Sequence, residues 1–199
     1  LFDLSLVALI FGLVGITAYW FWYDPTITEQ IDLHVQAVES NGAEAARLRS
    51  GEITTFVITY ENHSDQDLNA ADLHVRFPQH FQIQTSSGAF FNTSTFTFSI
   101  GKILRNTKHS VYVTGILYGV PHTDERVIAE LHYTPSTRTL GEVKLAALIT
   151  NLRDSVLATT LDLPTRLPAR SETKATLTIQ NTYSQALPGI LVPLSTGTI

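Results

Sequence analysis

The chain has 199 residues, 44% hydrophobic and 16% charged, a composition that predicts one or two folded units and excludes a disordered chain. A net charge of -5, with basic residues scattered and not clustered, argues against a nucleic-acid partner. The absence of Cys and Met excludes disulfide stapling, thiolate metal sites and a soft copper centre.

The first predicted element is a helix over residues 1–23. Leu4 to Tyr23 contains no charged side chain, and as a helix it covers roughly 30 Å, the thickness of a bilayer's hydrocarbon core. Tyr19, Trp20, Trp22 and Tyr23 then fall where amphipathic rings collect, at the membrane interface, with Asp24 and Pro25 outside it. A signal peptide has a shorter apolar core ending in small residues, and a buried helix needs helical neighbours that the rest of the chain does not offer. Ala8 and Gly12 form a small-xxx-small pair suited to helix packing. Before Arg47 the charged residues are all acidic, so residues 24–199 are expected on the extracytoplasmic side of the cell membrane, behind a single-pass anchor. A first residue that is Leu, in a chain without Met, suggests a processed product or a stretch of a longer protein.

After a linker over 24–30 the hydrophobic period becomes two. Ile31 to Val35, Ile53 to Tyr60, Leu73 to Phe77, Phe96 to Ile100, Val111 to Tyr118, Val127 to Tyr133 and Val143 to Ile149 are short alternating or β-rich runs between turn residues. Together they predict an all-β chain, with an immunoglobulin-like sandwich over 31–150. An internal repeat follows: FVITYENHSDQDL, 56–68, aligns without gaps on ATLTIQNTYSQAL, 175–187, matching Asn62 with Asn181 and Leu68 with Leu187. Asn suits the end of a strand because its side chain bonds neighbouring backbone. Residues 151–199 therefore read as an incomplete second unit of a tandem pair, with Ser155 to Leu161 as its first strand. Its open sheet edge invites further chain or a partner strand.

The stretch from Gly51 to Ile83, with FSIGKILRNTKHSVYVTGIL after it, resembles the repeat domain of unknown function found in bacterial and archaeal surface proteins. It is more loosely similar to bacterial cell-adhesion immunoglobulin-like domains. Gly51, Asn62, Phe77-Pro78 and Ile100-Gly101-Lys102-Ile103 carry the likeness, and Arg170 stands where the second unit should open with Gly. The resemblance implies a fold and a surface location, and it brings no catalytic residues.

Three tripeptides, Asp32-Leu33-His34, Asp72-Leu73-His74 and Glu130-Leu131-His132, each place a carboxylate and an imidazole on one face of a strand. Their convergence could hold a divalent metal; the plainer reading, adopted here, is a set of solvated strand faces with no metal or cofactor. Asp65-Gln66-Asp67-Leu68-Asn69 begins like a calcium loop but has Ala70 at the sixth position and Arg76 at the twelfth, so it reads as a polar turn. Asn62-His63-Ser64 and Asn92-Thr93-Ser94 match the glycosylation triplet. Phe90 and Phe91 fall on an expected loop, as a partner contact or a lid on the core. No nucleophile elbow, P-loop or zinc-helix motif occurs. The expected function is therefore that of a non-enzymatic, membrane-anchored surface scaffold or adhesion protein, in contact with lipid and with other chains. The alternative is an accessory subunit docked in a larger membrane complex.

Overall fold

The computed structural model of the chain describes residues 2–22, 26–39, 47–163, 175–184 and 186, with helix side chains described from 5 to 19. The helix α1 (Phe2–Trp22) forms over the predicted apolar run, and Asp3 is its one charged residue. Thr17 donates its hydroxyl to the Leu13 carbonyl one turn back at 2.6 Å, which satisfies that polar group inside the helix. Every described α1 side chain is exposed, so the folded domain buries none of this apolar surface. Among the described residues no helix is long and apolar enough to cross a membrane.

A 3₁₀ turn at Thr28–Gln30 leads into the strands. They are β1 (Ile31–Glu39), β2 (Arg47–Ser50), β3 (Ile53–Asn62), β4 (Leu68–Arg76) and β5 (Phe81–Ser87), then β6 (Phe90–Asn92), β7 (Thr97–Ile103), β8 (Thr107–Leu117), β9 (Asp124–Pro135) and β10 (Glu142–Ser155). One sheet has the order β1-β3-β8-β5 and the other β2-β10-β9-β4-β7-β6. Neighbours are antiparallel except β2, which runs parallel to the end of β10. This is an immunoglobulin-like sandwich, with one departure: the chain visits the β5 edge of the first sheet before building β6 and β7 on the second.

Alternation builds the core. Phe56, Ile58 and Tyr60 of β3 and Val111, Val113 and Leu117 of β8 face Leu73 and Val75 of β4 and Val127, Leu131 and Tyr133 of β9, all buried. Phe56 meets the Phe81 ring edge-on at 5.0 Å, closing the core beneath β5. On the solvent face of the first sheet, Thr55 pairs with Thr114 at 2.8 Å and Thr59 with Ser110 at 2.9 Å, hydroxyl to hydroxyl across the ladder. Ala70, at φ +49°, marks a bulge where the register of β4 slips against both neighbours.

The sequence pattern predicts no strand at β2, β5 or β6, and it places Phe90 and Phe91 on a loop; the structure corrects both points. All three strands lie at or next to a sheet edge, where one half-exposed face leaves little alternation to read. β5 has Phe81 and Ile83 followed by four polar residues, and β2 is four residues long with Arg at two of them.

Two further strands, β11 (Leu157–Asp162) and β12 (Thr176–Asn181), form a separate antiparallel pair. Leu157 pairs with Asn181, as Ile31 pairs with Asn62 at the start of β1. The repeated Asn acts alike in both places: Asn62 Oδ1 accepts the Ser64 N–H at 3.0 Å, and Asn181 Oδ1 accepts the Tyr183 N–H at 2.8 Å. The sequence repeat thus corresponds to a repeated hairpin register and a repeated turn.

Candidate interaction surfaces

The ladders sort the strand ends into two poles. Ile31, Asn62, Leu68, Ile103, Thr107, Pro135 and Glu142 gather at one, and Ile53, Leu117, Asp124 and Ser155 at the other. The twelve residues of β9 set the separation at about 40 Å. The chain enters the sandwich at the first pole and leaves at the second.

The first pole holds the entering segment through a buried carboxylate. Glu142, at the start of β10, accepts the Ile27 N–H at 3.1 Å and the Thr28 hydroxyl at 2.9 Å on Oε2, and Arg138 Nη1 on Oε1 at 2.8 Å. The Tyr133 hydroxyl lies 3.2 Å from both Thr28 Oγ1 and Glu142 Oε2, and Lys144 Nζ donates to the Thr28 carbonyl at 2.9 Å. Burial, together with the adjacent Glu142 charge, pushes the Tyr133 phenol up to about 12. Ile27 itself is buried in the core cluster, although the sequence gives the segment 24–30 only as a linker.

The second pole is built around Arg49. Its Nε meets Asp154 Oδ1 at 2.6 Å, and its Nη2 reaches the Ser155 carbonyl at 3.4 Å and Thr182 Oγ1 at 3.0 Å. Val156, fully buried, donates its N–H to Ser50 O and accepts the Thr182 N–H, tying β2, the end of β10 and the β12 turn into one joint. Gly51 (φ +89°) makes room here, since a Cβ on it would lie 2.6 Å from Val156 Cγ2. Replacing Arg49 by Ala is expected to broaden the distribution of angles between the sandwich and the β11-β12 hairpin with little loss of sandwich stability. Spin-label distances between residues of β9 and β12 would show this as a widened distribution.

Two of the three carboxylate-imidazole tripeptides come together. Asp72 lies opposite His132 and His74 opposite Glu130 on β4 and β9. The His74 and His132 rings stand edge to face at 4.8 Å. Two of the candidate ligand atoms have other partners: Thr97 Oγ1 meets His74 Nδ1 at 3.0 Å, and Arg76 takes Glu130 Oε1 at 2.7 Å. Asp32 and His34 are on the other sheet, where Asp32 pairs with His63 Nε2 at 3.0 Å. Among the described residues no group of three or more His, Cys, Asp or Glu is placed to hold a metal.

Asp67, in the calcium-like stretch, faces cations and an amide. Lys102 Nζ sits 2.8 Å from its Oδ2 and the Arg105 N–H donates to Oδ1 at 3.0 Å, and these bonds lower its carboxyl below the ordinary 3.8. Arg49 first, and Arg153 after it, lower Asp154 in the same way. Both folded values are depressed, so the stabilisation is complete above about pH 4 and is lost as pH falls through the folded values. Urea midpoints measured between neutral pH and pH ~3 should fall with acidity, and Asp67→Asn should flatten part of that slope.

Phe90 and Phe91 divide between two environments. Phe90 is 74% exposed, while Phe91 stacks on buried Phe98 with ring centroids 4.5 Å apart. Of the two glycosylation triplets, Asn62 is wholly buried with its amide donating to Gln66 O and Leu104 O, which closes it to modification in the folded chain, whereas Asn92 is exposed. Ala8, Gly12 and Tyr19 are exposed on α1, and a Cβ on Gly12 would meet nothing within 4 Å. The side chains of Trp20, Trp22 and Tyr23 lie outside the described residues.

No family model matches the chain, and no curated protein matches it. Among solved structures it is similar to a cohesin module from the family 33 glycoside hydrolase of Clostridium perfringens ATCC13124, at TM-score 0.44 and 10% identity over 63% of this chain and 98% of that one. It is similar to BslA, a bacterial hydrophobin, at TM-score 0.43 and 11% identity over 62% and 95%. The GAE domain of GGA2p from Saccharomyces cerevisiae follows at TM-score 0.39 and 12% identity over 63% and 94%. Similarities this distant transfer neither an activity nor a partner to this chain.

Proposed function

We propose that the chain is a non-catalytic, membrane-anchored structural protein of the cell surface, in which α1 and the residues flanking it sit in the bilayer and the sandwich serves as a rigid extracytoplasmic spacer. The observation that carries this reading is the polarity of the fold. The chain enters at the Glu142 pole and leaves at the Arg49 pole, with both crossings fixed by hydrogen bonds. A domain crossed from end to end, followed by a hairpin that repeats its first register, suits a stack of units projecting from one anchor. The apolar side chains of α1 from 5 to 19, all exposed, support the bilayer as its surroundings, and the aromatic run in the sequence at 19–23 supports its outer boundary.

A second reading, an accessory subunit whose sheets dock on partner chains, draws support from Leu161, Leu177 and Ile179. These residues on β11 and β12 are exposed, although their counterparts in β1 and β3 face a core.

Expression of the full chain behind a bacterial signal, followed by carbonate washing and protease treatment of intact cells, tests the proposal. The spacer reading expects retention in the membrane and cleavage from outside at the segment before β1. Release by carbonate, or protection from external protease, would reject it.

A further inference from the structure

Between Leu145 and Ile149, β10 is apolar on both faces. Ala146, Leu148 and Leu152 turn into the core, while Leu145 and Ile149 stand on the outer face at 62% and 58% exposure, in line with half-exposed Val143 and with Ala147. A strand that is apolar on both sides belongs to a sheet covered on both sides. Within the described residues nothing covers the outer side of this row.

The other outer rows of the same sheet are unlike it. β9 presents Arg126, Glu130 and His132, and β4 presents Asp72, His74 and Arg76. Only Ile128, opposite Ala147, extends the apolar surface onto β9. The charge-free row therefore lies along one long margin of the sheet. β2 continues that margin beyond it by pairing only with the end of β10, from Asn151 onward.

We propose that this row is a self-contact, through which two copies of the chain pack the outer faces of β10 together about a two-fold axis parallel to the strands. The direction of the axis rests on the anchored reading above. Two copies held in one bilayer both stand upright, so the symmetry axis relating them lies along the pole-to-pole direction. Such an axis keeps every residue at its own height and brings those nearest the axis against their own counterparts. Charged residues at the centre would face like charges, a juxtaposition that costs several kcal/mol. Val143, Leu145, Ala147 and Ile149 meet that condition over the whole row, and the charged rows of β9 and β4 fall to the rim, where polar groups keep water. The same axis sets the two α1 helices parallel, with the small residues Ala8 and Gly12 available for close approach.

The chain contains no Cys, so single cysteines report the contact directly. Full-length Leu145→Cys, Ile149→Cys and Tyr112→Cys variants are oxidised mildly in detergent and in bilayers, and the covalent dimer is read on a gel. Tyr112, 43% exposed, lies on the other sheet and serves as the collision control. Dimer is expected at Leu145→Cys and Ile149→Cys and not at Tyr112→Cys. Adding Leu145→Lys to Ile149→Cys should lower the cross-linked fraction about tenfold, with circular dichroism unchanged. Equal cross-linking at Tyr112→Cys, or none at residues 145 and 149, overturns the proposal. Carbonate washing of the same samples separates the two readings. A chain that washes off yet cross-links at residue 145 keeps the self-contact and retires the anchor; one that is retained but never cross-links does the reverse.

Discussion

Replacing Glu142 by Ala is expected to destabilise the sandwich by about 3–4 kcal/mol and to release the segment that precedes β1. The carboxylate is nearly inaccessible, and its two oxygens accept from Ile27, Thr28 and Arg138. Truncation leaves a backbone N–H, a hydroxyl and a half-buried guanidinium without their acceptor in a place that water reaches poorly, and each such group costs roughly 1–3 kcal/mol. A shift of the urea midpoint without a change in slope would give the stability loss. Hydrogen exchange at the Ile27 amide, expected to rise in Glu142→Ala beyond what global unfolding explains, would show the release. Glu142→Gln, which keeps an acceptor for Ile27 or Thr28 but loses the Arg138 pair, should fall between. A variant that unfolds at the wild-type midpoint would show that the entering segment is not held by this residue.

Asn62→Ala should cost about 2–3 kcal/mol, whereas Asn181→Ala should cost less than about 1. The two residues occupy the same place in a repeated hairpin, yet their surroundings differ. Asn62 is wholly buried, donates to Gln66 O and Leu104 O, and accepts from both the amide and the hydroxyl of Ser64. Without it, the Ser64 amide loses its acceptor, and the Gln66 and Leu104 carbonyls each lose one of two donors, the Ser64 and Thr107 hydroxyls remaining. Asn181 makes the same local turn in the open, where water replaces its bond. Thermal or urea unfolding of both variants measures the difference. Equal costs would mean that the shared turn, and not the burial of Asn62, sets what this side chain contributes.

Much of this architecture was legible because its signal is local. The alternation of Val127, Ala129, Leu131 and Tyr133 is the core face of β9, and Ile31, Leu33 and Val35 read equally well. Asn62 and Asn181 were found as a repeat because a strand that ends in a side-chain-capped turn needs the same residue types each time. The polar partnerships were not legible. Glu142 looks like any charged residue at a strand start until Ile27 arrives from 115 positions away. Arg49 likewise meets Asp154 across 105 positions. The pairing of Asp72 with His132 depends on a register interrupted by the bulge at Ala70, which no hydrophobic pattern records. Val143 to Ile149 reads in the sequence as one more short strand, and only the sheet order reveals that one of its faces lies open.

The central claim, a sandwich held upright on a bilayer with its Glu142 pole inward, is tested most directly by energy transfer to a headgroup dye from the full chain reconstituted in liposomes. Single dyes are placed at Leu140→Cys, beside the Glu142 pole, or at Val120→Cys, at the far one; both sites are exposed, at 78% and 68%. With the poles about 40 Å apart, strong transfer from residue 140 and weak transfer from residue 120 is the predicted result. Equal transfer from the two sites, or a labelled chain that stays in solution, would contradict it.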